Sequence, residues 1–242
     1  MKILVLGDIH GRTIWKDIFE KEDPDKLIFL GDYLHSRENI SREDQIENLK
    51  LILDLKDAHS ENVILCRGNH DLCCLGYYWA ATGDRDFRLI QMMQPLADRF
   101  LELTQWIHIE DNIIFSHAGV STTWMEEVAR IKYPEVINDL PLSEIFGFWP
   151  SKMSDRSGTS ITQPPTWIRP ATLLHNMPKG YTQVVGHTPP SFGIINYTKE
   201  YKDMYPQDTE ETEDLYLCDA LGDNQYLIIE DGKFKPMKYE KI

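Results

Sequence analysis

The chain has 242 residues, 42% of them hydrophobic, which is ample for a core, and we expect a single domain over residues 1–242. Its formal net charge of -14, from 39 acidic and 25 basic residues, argues against nucleic acid as a partner, because phosphate backbones are bound by clustered Lys and Arg. The four cysteines lack Cys-x-x-Cys spacing, which argues against a zinc-thiolate site.

The first apolar stretch, residues 2–6, is too short for a secretory signal and is stopped by Gly7 and Asp8. No other apolar run approaches the length of a membrane span. The cysteines lie in apolar surroundings and are interpreted as reduced core thiols. These features predict a cytoplasmic protein without a membrane partner.

The first third of the chain alternates between strand and helix patterns. Short apolar runs predict buried strands at 2–6, 26–30 and 62–66. Helix-spaced apolar residues between them predict helices at 12–21 and 41–57, the second with Ser41 as its N-cap. This alternation predicts a largely parallel sheet, and such sheets bind ligands at the carboxyl ends of their strands.

The remainder of the chain is richer in strand patterns. The spacing predicts helices at 87–103 and 121–132, and strands at 112–115, 183–185, 193–197, 215–218, 226–229 and 234–237. Residues 151–170, rich in Ser, Thr and Pro, are predicted to form a long loop across the active face. We therefore predict an α/β fold of two packed mixed β-sheets flanked by helices, with an α/β half preceding a mainly β half.

Acid, amide and imidazole side chains follow the apolar runs. They are Asp8, His10, Asp32, Asn69, His70, His117 and His187. Taken singly, a Gly-Asp pair is ordinarily a turn, and a lone buried His is ordinarily a satisfied core residue. Together, and each after an apolar strand, they supply enough oxygen and nitrogen donors for two divalent cations.

Three of these segments resemble motifs of one family: Gly7-Asp8-Ile9-His10-Gly11, Gly31-Asp32 and Gly68-Asn69-His70-Asp71. The chain, from residue 1 to about 219, resembles the calcineurin-like metallophosphoesterases, in particular the bacterial serine/threonine phosphatases among the phosphoprotein phosphatases. The resemblance implies the calcineurin-like fold and hydrolysis of phosphate monoesters by a metal-bridging hydroxide. It assigns Asp8, His10 and Asp32 to one metal, and Asp32, Asn69, His117 and His187 to the other. The ions implied by the resemblance are manganese, iron or zinc, and the oxygen and nitrogen donors of this sequence suit any of the three.

The resemblance also implies catalytic and substrate-binding residues. His70 matches the residue that acts as general acid in the family. Asp71 is the second candidate catalytic residue, as a support for the His70 imidazole, although its place next to His70 in the sequence does not by itself establish that role. Arg37 and Arg169 are candidate phosphate-binding residues. The motif that begins at Gly31-Asp32 departs from the family pattern. His35 and Ser36 occupy the positions where the family has an orienting Asp and an Arg.

Three functions stay open at this point. The first is hydrolysis of phosphoserine, phosphothreonine or small phosphate esters. The second is hydrolysis of a dinucleoside polyphosphate such as diadenosine tetraphosphate, because segment 68–72 also resembles that branch. The third is a catalytically idle binding protein, favoured by the altered segment 34–37. Trp149 and Trp167, at the two ends of the long loop, are candidates for an apolar wall beside the metals.

Overall fold

The structure is a computed structural model that describes residues 1–77, 86–145, 158–208 and 211–240. Its strands are β1 (Lys2–Leu6), β2 (Lys26–Phe29), β3 (Val63–Leu65), β4 (Ile107–Glu110), β5 (Ile113–Ser116), β6 (Thr182–Val185), β7 (Ile195–Asn196), β8 (Leu215–Leu217), β9 (Gln225–Glu230) and β10 (Lys233–Lys238). The α-helices are α1 (Trp15–Glu22), α2 (Arg42–Ala58), α3 (Asn69–Cys74), α4 (Phe87–Met93), α5 (Ala97–Leu103), α6 (Leu142–Ile145), α7 (Pro170–Leu173) and α8 (Tyr197–Met204).

The strands form two mixed five-stranded sheets. The first has the order β10-β9-β1-β2-β3, with β1, β2 and β3 parallel and β9 and β10 antiparallel to their neighbours. The second has the order β4-β5-β6-β8-β7, with β5, β6 and β8 parallel. The predicted α/β architecture of two mixed sheets with flanking helices is confirmed.

Alternating side chains explain why the two sheets pack together. Ile3 and Val5 of β1 point toward the second sheet and pack in one cluster with Phe115 and Val184. The intervening Leu4 and Leu6 pack on the opposite face in the cluster that includes residues of α1, α2, α4 and α5. Helices therefore cover the outer face of the first sheet, and the inner face is buried against the second.

Several predicted elements differ in detail from the structure. The helix predicted over 87–103 is divided into α4 and α5 by the short 3₁₀ turn Gln94–Leu96, since Pro95 lacks an N–H to continue the helix. The helix predicted over 121–132 is a π-helical segment, Trp124–Ala129. The strand predicted over 193–197 is shorter, because Asn196 caps α8 by accepting a hydrogen bond from the Lys199 backbone N–H.

The chain also does not divide cleanly into the predicted α/β half and mainly β half. Strand β9 comes from late in the chain but pairs with β1, and β10 pairs with β9, so the first sheet contains strands from both ends of the described chain. The Ser41 cap is confirmed, since its side chain accepts from the Asp44 backbone N–H. Within the described residues, every helix is too short or too polar to cross a bilayer.

Candidate metal centre

The site lies where strands of both sheets end. The turn after β1 contributes Asp8 and His10, the turn after β2 contributes Asp32, and α3, which follows β3, begins at Asn69. From the second sheet, His117 follows β5, His187 follows β6 and Asp219 follows β8. Parallel strands of one sheet direct their carboxyl ends to the same edge, so residues far apart in the chain meet here.

One group of donors comprises Asp8, His10 and Asp32. A ligand atom of each lies within 4.8 Å of the others, and Nε2 of His10 is 3.7 Å from Oδ2 of Asp8. Both carboxylates are almost fully buried. Two acids and an imidazole at this separation form a donor set suited to a divalent transition metal.

A second group contains Asn69, His117 and His187, with Asp32 again at its edge. Nε2 of His117 lies 2.9 Å from Oδ1 of Asn69 and 3.5 Å from Oδ2 of Asp32. The His187 ring packs against the His117 ring, with 4.9 Å between their centroids. Asp32 therefore lies next to both groups, which is the position a bridging carboxylate requires.

Backbone carbonyl groups orient the three imidazoles. His10 Nδ1 donates to Leu34 O at 2.9 Å, and His117 Nδ1 donates to Leu30 O at 3.0 Å. The His187 ring hydrogen-bonds to the backbone of Trp167, and its buried Nε2 has no hydrogen-bond partner. Each ring thus fixes one nitrogen on the backbone and presents the other to the site, which is the usual arrangement of histidine metal ligands.

The histidines are held neutral, as metal ligands must be. Burial lowers the pKa of His10 to about 4 and that of His117 to about 3, and it also lowers the pKa of His187. Because His117 Nδ1 donates to Leu30, its Nε2 is an acceptor that faces the Asn69 carbonyl oxygen. Two facing acceptors repel each other, and a cation bound by both removes that repulsion.

The two carboxylates are oriented by backbone N–H groups. Oδ1 of Asp8 accepts from His187 N, and Oδ1 of Asp32 accepts from His70 N, both at 2.8 Å. Burial and neighbouring acids raise the pKa of both groups; the neighbour is chiefly Asp219 for Asp8, and Asp8 for Asp32. Crowded buried carboxyls of this kind are stabilised by cations, so the residues present fit the metals that the resemblance implies.

Two glycines make room for these carboxylates. A Cβ atom at Gly186 would lie 2.4 Å from Oδ1 of Asp8, and one at Gly68 would lie 2.0 Å from Oδ1 of Asp32. Neither distance is physically tolerable for a carbon. The Gly-His and Gly-Asn pairs of the sequence are therefore explained by close approach of backbone to a candidate ligand.

The backbone of the site adopts the left-handed conformation at four non-glycine residues, three His and one Asp. His10, Asp32, His35 and His187 have φ values of 46°, 51°, 70° and 61°, in the left-handed region. Such conformations are unfavourable for residues other than Gly, Asn and Asp and persist only where the surroundings enforce them. Their concentration here is consistent with a functional site.

His70 and Asp71 make different contacts from one another. Nδ1 of His70 lies 2.7 Å from Nδ1 of His35, and its Nε2 lies 4.0 Å from Oδ2 of Asp32. The Asp71 carboxylate accepts from the backbone N–H groups of Asp32, Tyr33 and Gly68 at 2.8–2.9 Å. His35, at the position of the expected orienting Asp, is thus the ring paired with His70, whereas Asp71 joins two turns.

The two candidate phosphate-binding arginines differ in exposure. Arg37 is exposed, whereas Arg169 is partly buried and donates from Nη1 to His187 O at 3.2 Å and to Thr188 Oγ1 at 2.9 Å. Arg169 therefore lies beside a candidate ligand. Trp167, with its ring centroid 5.4 Å from that of His187, also borders the site, and Trp149 lies outside the described residues.

The sequence reasoning missed two charged residues at the site. Asp219 follows β8 just as Asp8 follows β1, and burial raises the pKa of its carboxyl to about 6. Arg12 donates from Nη1 to Asp8 O at 3.2 Å and ion-pairs with Glu38 at 2.6 Å. The signal for Asp219 was present, because an apolar run ends just before it.

Fold and donor set define an α/β sandwich protein with a candidate metal site at the strand ends. The family model described as calcineurin-like phosphoesterase matches residues 1–218, and the chain belongs to this family. The calcineurin-like phosphoesterases use divalent metal ions, and the match spans the segments that carry all the candidate ligands from Asp8 to His187.

One curated protein and two solved structures show what the chain is similar to. A probable serine/threonine-protein phosphatase of Encephalitozoon cuniculi is 27% identical over 128 residues, 49% of this chain, and the match spans only 26% of that relative. Among solved structures, a cold-active protein-tyrosine phosphatase of a psychrophilic Shewanella species has a TM-score of 0.60 at 16% identity, over 97% of this chain and 77% of that one. A protein serine/threonine phosphatase of Saccharomyces cerevisiae has a TM-score of 0.57 at 14% identity, over 100% of this chain and 81% of its own. At these identities the structural likenesses establish the fold.

Proposed function

We propose that the protein hydrolyses phosphate monoesters, with phosphoserine and phosphothreonine side chains as its preferred substrates, using two divalent cations. Asp8, His10 and Asp32 would hold one ion, and Asp32 would share the other with Asn69, His117 and His187. The observation that carries this proposal is the position of Asp32, whose Oδ2 lies 3.5 Å from His117 Nε2 while its carboxylate also belongs to the Asp8–His10 group.

When bound, such ions activate water and neutralise negative charge on a phosphate ester. Around them, this chain supplies the groups that meet the substrate. Arg169 lies beside His187, and its planar guanidinium can donate two parallel hydrogen bonds, which suits it to hold phosphoryl oxygens. Arg37 is exposed and offers a second cation at the rim.

His70 is the candidate donor to the leaving oxygen. It is mostly buried, and its Nε2 lies on the side of Asp32, the ligand proposed to be shared. Burial, with a further contribution from the adjacent His10, lowers the pKa of His70 to about 2, so the ring is neutral near pH 7 and would donate a hydrogen bond to the leaving oxygen without transferring its proton. A group in this place assists departure of an alkoxide, which is needed most for poor leaving groups.

Two observations support phosphoserine and phosphothreonine side chains as the proposed substrates. A relative that matches half of this chain is described as a probable serine/threonine-protein phosphatase. The net charge of -14 disfavours highly anionic partners, and a dinucleoside polyphosphate carries more negative charge than a single phosphorylated side chain.

The test is a parallel assay of manganese-reconstituted protein on phosphoserine and phosphothreonine peptides, a phosphotyrosine peptide, phenyl phosphate and diadenosine tetraphosphate. We expect turnover of the first two to exceed that of the others. Asp32→Asn should lose metal, measured by elemental analysis, and more than about a hundredfold in activity. The control is His59→Ala, which alters an exposed residue at the end of α2.

Each contrary result has a definite meaning. Faster turnover of diadenosine tetraphosphate would replace the proposed substrate class with dinucleoside polyphosphates. A protein that binds metal but hydrolyses none of these esters would be a binding protein. An Asp32→Asn variant with full metal content and activity would end the shared-carboxylate proposal.

A further inference from the structure

The segment between β2 and α2, residues 35–40, begins at the candidate metal centre and is called the 35–40 loop below. The ring of its first residue, His35, packs against the ring of His70, with 4.8 Å between their centroids. The carbonyl just before it, of Leu34, accepts the hydrogen bond from His10 Nδ1. The loop therefore starts in contact with two residues of the site.

Arg37 is the residue of this loop that can meet a substrate anion. Its side chain is exposed, and among the described residues no hydrogen bond or ion pair engages its guanidinium. The groups with which its charge interacts include His10, His70 and Asp219, all at the candidate site. A guanidinium in such a place is suited to bind phosphoryl oxygens, provided that the loop holds it there.

A buried glutamine of α2 holds the loop on both sides of Arg37. Gln45 is only 4% exposed, and its Oε1 accepts from Ser36 N while its Nε2 donates to Ile40 O, both at 3.0 Å. A backbone N–H can only donate and a carbonyl oxygen can only accept, so these two contacts fix the orientation of the amide. One side chain thus spans the loop.

The turn after β1 in turn fixes both Gln45 and the loop. Gly11 has a φ of 79°, and a Cβ atom there would lie 2.5 Å from Cγ of Gln45, so the glycine leaves the space that the Gln45 side chain fills. From the same turn, Arg12 Nε donates to Oε1 of Glu38 at 2.6 Å, in the middle of the loop. The loop is therefore attached to the turn that carries His10.

We propose that Gln45 is a positioning residue that holds the 35–40 loop against the turn after β1 and so directs Arg37 toward the phosphoryl group of the substrate. The inference rests on the proposed function, which takes Arg37 as a cation for phosphate, and it extends phosphate binding to a side chain of α2. Without its two hydrogen bonds the loop would gain conformational freedom. The entropy lost on ordering Arg37 would then weaken the binding of phosphate.

Two buried amides on one face of α2 provide the variant and its matched control. Gln45→Met keeps the length of the side chain and removes both hydrogen bonds to the loop. Asn48→Leu also removes two hydrogen bonds, from Trp15 Nε1 and to Arg12 O, and neither partner belongs to the 35–40 loop. Each change leaves one donor and one acceptor without that partner, so urea denaturation should show similar losses of stability.

The first measurement is calorimetric titration of manganese-loaded protein with inorganic phosphate. We expect Arg37→Met and Gln45→Met each to raise Kd by about fivefold or more, and Asn48→Leu by about twofold at most. The combined variant Gln45→Met/Arg37→Met should bind no more weakly than Arg37→Met alone, because Gln45 acts through Arg37.

Three results of this titration would overturn the inference. They are additive losses in the combined variant, parental affinity in Gln45→Met, and a parent protein that binds no phosphate. Elemental analysis should find the same metal content in every variant. A loss of metal in Gln45→Met would assign Gln45 to the support of the metal centre and so also overturn its role through Arg37.

The second measurement needs no ligand, because trypsin cleavage after Arg37, identified by mass spectrometry, reports how well the loop is held. We expect cleavage there to be about fivefold faster or more in Gln45→Met than in the parent protein, and close to the parental rate in Asn48→Leu. Equal rates in the two variants would overturn the inference. If the parent protein hydrolyses no ester, the proposed function fails, while phosphate binding and proteolysis still decide the role of Gln45.

Discussion

At Gly186 the space that a side chain would occupy is taken by the Asp8 carboxylate. The adjacent His187 N–H donates to the same carboxylate oxygen, so backbone and candidate ligand are in direct contact. A single methyl group at this position should therefore act on metal binding before it acts on the fold.

We expect Gly186→Ala to weaken manganese binding by about tenfold or more, because it displaces Asp8 and disturbs a contact that orients the ligand. Metal titration by calorimetry measures this. The matched control is Gly222→Ala, whose added Cβ would lie 3.2 Å from the end of the flexible Arg12 side chain. Equal affinities in the two variants would show that the close contact at Gly186 is unimportant for metal binding.

Most candidate ligands were predictable at the residue scale because each directly follows an apolar strand. Asp219 has the same local signal, but the family motifs do not include it, and so it was overlooked. The pairing of His35 with His70 could not be predicted, because it depends on how two turns 35 residues apart approach each other.

Asp71 acts at the scale of whole elements, because its carboxylate joins the turn after β2 to the start of α3. Three backbone N–H groups, of Asp32, Tyr33 and Gly68, converge on its two oxygens. The side chain is almost fully buried, so these donors have no easy replacement from solvent.

We expect Asp71→Ala to lower the free energy of unfolding of the metal-free protein by about 3 kcal/mol or more, since each buried donor left unpaired costs about 1–3 kcal/mol. Urea denaturation in the presence of a chelator measures it. Asp203→Ala, at an exposed position on α8, is the control and should change little. Unaltered stability with lost turnover would instead indicate the role suggested from the sequence, in which Asp71 supports the His70 imidazole.

Element boundaries were predictable where local chemistry sets them. Ser41 marks the start of α2, and Pro95 interrupts the helix predicted over 87–103. Strand β4 and helix α8 were missed, and the strand predicted over 193–197 ran into the first residue of α8, because short segments carry weak periodicity and their structure is decided by neighbouring strands.

At the scale of the whole molecule, the candidate ligands come from both sheets. Asp8, Asp32 and Asn69 follow strands of the first sheet, and His117 and His187 follow strands of the second. Metal ions bound by this set would add links across the sandwich. Their binding energy is then part of the stability of the folded protein.

We expect removal of metal by a chelator to lower the melting temperature by about 5–10 °C, the effect of a few kcal/mol of lost binding energy on a protein of this size. Differential scanning calorimetry with and without added manganese measures the shift. The Asp32→Asn variant serves as the control, because its melting temperature should respond little to the chelator. An identical response in both proteins would mean that the stabilising ion binds elsewhere.

The buried acids also predict how the metal-free protein responds to pH. Burial raises the pKa of Asp71 and of Asp219 to about 6, and the pKa values of Asp8 and Asp32 are raised as well. A carboxyl with a higher pKa in the folded than in the unfolded state binds its proton more tightly when folded. These carboxyls therefore contribute most to stability below pH 3.8, which is their pKa in the unfolded chain. Their contribution is lost as pH rises through about 6.

The buried histidines oppose this effect, because their lowered pKa values make stability rise with pH up to about their unfolded value of 6.5. We therefore expect the unfolding free energy of the chelated protein to change little between about pH 5 and about pH 7, and the stabilisation by manganese to grow over this interval as protons leave the carboxyls. Urea denaturation at fixed ionic strength measures both curves. A stabilisation by manganese that stayed constant from about pH 5 to about pH 7 would contradict binding of the ion by carboxyls that must first lose their protons.

The spread of donors along the chain has a consequence for biosynthesis. The group around His117 needs His187, and Asp8 takes a backbone hydrogen bond from that same residue, 179 positions later. A nascent polypeptide on the ribosome cannot complete the centre until this late segment has emerged and joined the second sheet. Capture of the proposed ions would therefore be a late event in maturation, because truncated intermediates lack part of the candidate ligand set.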